Sequence, residues 1–107
     1  MNLEAYTAGE ERKRLRRKEP LSSNKRHNLL YRKEFIDFCI SSGVKDSEDI
    51  KDKIYTNFIR YLKDVKRNKP RTRLDKSYEV KRFLREVGSS VKPNPWGSYA
   101  KQNKKSR

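Results

Sequence analysis

Lys25, Arg26 and His27 stand together at the start of one amphipathic segment. Lys69, Arg71 and Arg73 surround the start of another, with Lys76 one turn further on. Cations at a helix start meet an anionic ligand together with free backbone N–H groups and the positive end of the helix dipole, a combination suited to phosphate. Asn24 and Thr72, beside the two clusters, add an amide and a hydroxyl of the kind that position a nucleic-acid backbone. Asn28, Arg73 and Lys76 are the side chains placed to reach base edges, although spacing alone does not separate reading bases from gripping phosphates.

The charge is sorted along the chain. Glu10–Lys33 holds ten basic and three acidic residues, and Lys66–Lys92 again ten and three. Between them, Glu34–Val65 holds five basic and seven acidic residues, while the segment from Pro93 adds four basic residues and no acid. The net charge is +15. A solvated charged face is the plain explanation for one such block. Two blocks at two helix starts, with basic ends beyond them, point instead to a polyanionic partner.

Other chemistry finds little support. His27 is the sole histidine and Cys39 the sole cysteine, so no His/Cys ligand set for a metal exists. Glu48, Asp49 and Asp52 read as first-turn acids that complement a helix dipole rather than as a cation cluster. No phosphate loop, GxGxxG or GxSxG pattern occurs, and no nucleophile stands with a base. The expectation is a protein that is not an enzyme and carries no cofactor. Cys39 falls on an apolar helical face and reads as core; alone, it excludes an internal disulfide. No apolar run is long enough for a membrane span or a signal sequence.

The elements that must position the basic clusters follow from periodicity. A first helix starts near Ser22, Ser23 or Asn24 and runs to Ser42, with Leu30, Phe35, Phe38 and Cys39 near one face, Tyr31 and Ile36 widening the stripe, and Gly43 as the stop. Asp46 or Ser47 caps a second helix, on which Ile50, Ile54, Phe58, Tyr61, Leu62 and Val65 keep helical spacing. Pro70 fixes the next turn, and Thr72-Arg-Leu-Asp75 resembles a capping box with Asp in place of Glu. The third helix turns Leu74, Ser77, Val80, Phe83, Leu84 and Val87 inward and ends at Gly88. Trp96 follows in a Pro-rich stretch and reads as an aromatic that packs back onto the bundle.

With 32% hydrophobic residues in 107, there is room for one modest core. The expected organisation is a flexible basic arm over 1–20, in which Leu15 is the one apolar residue of the Arg-rich piece, a helical domain over 21–99, and a basic tail over 100–107. The fold class is all-α, a compact bundle of three to four helices with flexible basic tails.

From Ser23 to Trp96 the chain resembles the SAM-like core-binding domain of tyrosine recombinases, the N-terminal module of phage integrases. The family pattern of a polar cap and a Tyr-bearing helix with two anchors has its counterpart in Ser23-Asn24 and Tyr31-Arg-Lys-Glu-Phe35-Ile-Asp-Phe38. Ile50, Ile54, Ile59 and Tyr61-Leu62 match an Ile-rich second helix, and Thr72, Lys76 and Lys81-Arg-Phe-Leu84 match the capped third. Asn94-Pro95-Trp96 stands where the family closes before its catalytic domain. Lys25 departs from the family's Thr after Asn, and only a few basic residues follow Trp96 in place of the catalytic domain.

The resemblance implies a SAM-like bundle that grips double-stranded DNA without cutting it. The corresponding role is a recombination accessory factor, a transcription regulator at recombinase or promoter sites, or a mobile-element remnant. The expected contacts are Asn24, Lys25, Arg26, His27, Lys69, Arg71, Thr72, Arg73 and Lys76. A recombinase or another protein is a further candidate partner, no membrane is expected, and the location would be cytoplasmic and nucleoid-associated, or nuclear in a eukaryote. Two alternatives stand beside this reading. One is an RNA- or ribosome-associated basic protein, and the other is a protein-interaction module with Tyr6, Trp96 and Tyr99 as exposed anchors.

Overall fold

The computed structural model describes residues 1–91, which form an all-helical bundle. The elements are α1 (Leu3–Arg16), α2 (Ser23–Ser41), a 3-10 turn (Ser47–Asp49), α3 (Asp52–Asp64) and α4 (Pro70–Glu86). α2 is the central helix: it packs on α1, α3 and, most extensively, α4. The expected basic tail, Trp96 with its packing onto the bundle, Tyr99 and Asn94-Pro95 lie outside the described residues.

Local chemistry sets the ends of α2 and α4. Ser22 caps α2, its Oγ accepting the Lys25 N–H at 3.4 Å. At the other end Gly43 turns left-handed (φ 89°), and the Val44 N–H reaches back to the Cys39 carbonyl at 2.9 Å. α4 stops in the same way, with Gly88 at φ 72° and the Ser89 N–H on the Leu84 carbonyl at 2.9 Å. Both are Schellman closures, which require a residue free to adopt positive φ. After α3 the left-handed residue is Arg67, at φ 53° and two residues past the C-cap Val65, and the Asn68 N–H bonds to the Leu62 carbonyl at 2.9 Å.

The core is aromatic at its centre. Phe35 of α2 is fully buried and meets Phe58 of α3 edge-on at 5.0 Å and Phe83 of α4 at 6.2 Å. One side chain thus ties three helices through ring contacts worth more than their buried area alone. Ile36, Leu62, Val80 and Leu84 complete the packing. Cys39 lies in this core as expected, and burial pushes its thiol up to about 12.

Because the folded thiol loses its proton at a higher pH than an exposed cysteine does, the folded state holds that proton where the unfolded chain does not. This contribution to stability is complete below the unfolded value and is lost as pH rises through the folded one. A maleimide should therefore label Cys39 in the native protein at neutral pH only at the rate of opening. Rapid labelling of the folded chain would contradict the burial.

The first twenty residues differ from the flexible arm expected of them. Residues 3–16 form α1, because the anchors sit ahead of the Arg-rich piece. Leu3 is fully buried, and Tyr6 meets the Phe83 ring edge-on at 5.3 Å. The entry is pinned by a short antiparallel bridge, with the Leu3 N–H on the Lys45 carbonyl at 2.9 Å and the Ser47 N–H on the Met1 carbonyl at 2.8 Å. Asn2 caps the helix through the Ala5 N–H at 2.9 Å. Glu4 in the first turn and Lys13, Arg14 and Arg16 in the last complement the helix dipole.

Three smaller differences have equally local causes. Asp46 caps the 3-10 turn rather than α3, because the chain straightens at Ile50 and Lys51 to bury Ile50 before α3 begins. Val65, expected on the apolar stripe, is exposed where α3 unwinds. Leu30, expected in the core, sits at the helix surface and is 56% exposed.

Candidate nucleic-acid interface

The start of α2 points in two directions. Asn24, His27, Asn28 and Tyr31 recur at helical spacing on the side facing α4, where they line an open groove with Asp75, Tyr78 and Arg82. The His27 ring stacks near-parallel on Tyr31 at 6.3 Å. Arg26 faces the opposite side of α2, toward α1, and its Nη2 donates to the Leu21 carbonyl at 3.4 Å. Lys25 is exposed.

The start of α4 differs from the expected cap. Pro70 takes the first helical position, where its fixed φ and missing N–H carry no penalty, and Lys69 is the N-cap residue, with no side-chain cap bond. Thr72 is thereby the third residue of the helix, half-buried, and not its cap. Lys69 is exposed. Arg71 is 81% exposed and pairs along its own helix with Asp75 at 3.4 Å. Arg71, Asp75, Tyr78 and Arg82 form one outward stripe that spans about 16 Å of helix at 1.5 Å per residue.

Arg73 and Lys76, expected beside Arg71 as ligand contacts, are not on that stripe and are buried. Arg73 is 3% exposed and donates from Nη1 to the Asn68 carbonyl at 2.6 Å. Its Nε and Nη2 have no hydrogen-bond partner among the described residues, and burial pulls its pKa down. Lys76 is 7% exposed. Its Nζ pairs with Glu34 Oε1 at 2.7 Å, donates to Asn68 Oδ1 at 2.7 Å and lies 5.5 Å from the centre of the Tyr31 ring. Both cations serve the joint between α2, α4 and the loop before α4.

The structure thus gathers Asn24 and His27 with Asn28 in one groove, sets Lys25, Lys69 and Arg71 exposed at the two helix starts, turns Arg26 away, and buries Arg73 and Lys76. Tyr78 and Arg82 line the same groove without having been among the expected contacts. Their signal was the phase of Arg71–Asp75–Tyr78–Arg82, opposite the inward set of Leu74, Ser77, Val80 and Leu84. Among the described residues no group of three His, Cys, Asp or Glu side chains assembles, and no helix is long and apolar enough to cross a membrane. No family model, curated protein or solved structure matches the chain.

Proposed function

We propose that the chain is a non-catalytic module that binds double-stranded DNA through the α2–α4 face, in the manner of an integrase core-binding domain. Its role would be that of a recombination accessory factor or regulator. The observation that carries this reading is the groove itself, where amide, imidazole, phenol and guanidinium groups converge between two helix starts that expose Lys25, Lys69 and Arg71. Lysine and arginine neutralise phosphates, Asn24 and Asn28 offer both donors and acceptors, and the tyrosines supply apolar walls with a polar tip. Asp75 is the one carboxylate in the groove, and Arg71 compensates it.

Duplex binding measured across a salt series tests the proposal. Four phosphate contacts, from Lys25, Lys69, Arg71 and Arg82, give a log–log slope of about −3.6 and a loss of about 100-fold between 50 and 200 mM salt. The double variant K25E/R71E should weaken binding at least about 10-fold and flatten the slope by about 1.8. K53E, a control on the exposed first turn of α3, should change it far less. No duplex binding at low salt would overturn the proposal, as would equal sensitivity to K53E. A clear preference for structured RNA over duplex DNA at fixed salt would replace it with an RNA reading.

A further inference from the structure

The opposite side of α2 carries a different surface. Leu21, Leu29 and Ile36 form an aliphatic floor between α1 and α2, with Leu30 at its rim. α1 covers this floor poorly. Beyond Tyr6 and Thr7, it lines the cleft only with the charged side chains of Glu10, Glu11 and Arg14. What remains is an apolar cleft of about 170 Å³. An engineered apolar cavity of about 150 Å³ takes up benzene, so this space suits one bulky apolar side chain.

The charges around the cleft divide into satisfied and spare. Glu11 pairs with Arg14, Glu10 with Lys13 at 3.4 Å, and Lys33 with Asp37 at 2.8 Å. Arg32 is held by Glu79 and Glu86, each at 2.6 Å. Arg17 and Arg26 line the same cleft and have no acidic partner among the described residues. A guanidinium is the cation best matched to a carboxylate, because its fork donates two parallel N–H bonds.

We propose that the α1–α2 cleft docks an acidic segment of a partner protein, which inserts one large apolar side chain between α1 and α2 and sets flanking carboxylates on Arg17 and Arg26. The charge complementarity names the occupant. The chain's own segment from Pro93 is basic and carries no acid, so its charge opposes these arginines. A nucleobase would bring polar edges against aliphatic walls, where the hydroxyls of the two lining residues are already engaged, Thr7 Oγ1 with the Leu3 carbonyl at 3.1 Å and Tyr6 Oη with Glu86 at 3.2 Å and Arg32 at 2.7 Å. An apolar side chain carries no such penalty. Since Arg26 points into this cleft and Asn24 and His27 into the other groove, partner and duplex would occupy opposite sides of α2.

The probe is a fluorescein-labelled peptide of mixed Glu and Asp with one central Trp, titrated into the full chain by fluorescence anisotropy. The same peptide with Ser in place of Trp is the comparison. Burial of a large side chain predicts at least about 10-fold tighter binding for the Trp peptide. Binding should be lost in R17E/R26E, weakened several-fold in L30S, and retained in K25E/R71E; circular dichroism confirms that each variant folds. The surface position of Leu30 keeps the test open should the double variant unfold. Equal binding of the two peptides would reduce the contact to bulk charge and overturn the proposal, as would no binding at low salt. It also falls if a single-stranded oligonucleotide displaces the Trp peptide from K25E/R71E, or if R17E/R26E instead abolishes self-association of the chain.

Discussion

Replacing Arg32 with Met should lower stability by about 3 kcal/mol, the cost typical of leaving a buried ion without its partner. Arg32 joins three helices. Its Nη1 donates to Tyr6 Oη at 2.7 Å and to Glu86 Oε2 at 2.6 Å, and its Nε donates to Glu79 Oε2 at 2.8 Å. Glu79 is only 3% exposed, and its remaining cation, Arg82, stands 3.3 Å away on a largely exposed side chain. The deleted guanidinium also lies over the Phe83 ring at 5.7 Å, so its removal costs packing as well as charge. Burial alone would disfavour the charged guanidinium, but its hydrogen bonds to Tyr6 and Glu79 and the charge of Glu79 outweigh that and hold it charged.

For a domain of this size, 3 kcal/mol corresponds to about 15 °C in Tm. Amide exchange should speed up most in α1, because Arg32 and Glu86 are the hydrogen-bonding partners of Tyr6. The double variant R32M/E79M removes both charges together and should recover most of the loss, since a buried pair replaced by apolar side chains is often neutral. Thermal and urea unfolding of the single and double variants give the measurement. A loss below about 1 kcal/mol in R32M would mean that water reaches Glu79 and that this contact does not hold α1 in place.

The same physics separates what was legible in the sequence from what was not. α2 and α4 could be read because each ends on a glycine whose role is local, and because Phe35, Cys39, Val80 and Phe83 repeat with the helix. α1 could not, since Leu3 and Tyr6 make no stripe; they matter only because Phe83 and the Lys45–Ser47 segment wait for them across the chain. In the candidate site, residue type and helix phase were legible, and the partners supplied by other elements were not. Arg73 and Lys76 were weighed as cations, yet their spacing from Ser77, Val80 and Leu84 already put them in phase with the buried face of α4. No pattern within α4 could reveal the carboxylate of Glu34, which comes from another helix and makes burial of Lys76 tolerable. The cleft on the α1 side was equally hidden, because it exists only once α1 is known to dock.

Lys76 therefore separates a structural cation from a ligand-binding one. Replacing it with Glu should cost about 4 kcal/mol, because it sets a carboxylate where Nζ now pairs with Glu34 at 2.7 Å. K76M should cost about half as much. Glu34 is 21% exposed and keeps Lys66 at 3.9 Å, so water and that lysine compensate part of its charge, while Asn68 Oδ1 loses its donor. The swap K76E/E34K restores opposite charges and should recover more than half of the loss. Unfolding curves settle these magnitudes, and the salt slope of duplex binding settles the role. K76M, measured at a temperature where it is fully folded, should bind duplex with the slope of the parent chain, whereas each lost phosphate contact flattens that slope by about 0.9. A flattened slope at unchanged stability would mean that Lys76 leaves Glu34 for phosphate when DNA binds, and that the joint between α2 and α4 opens on the ligand.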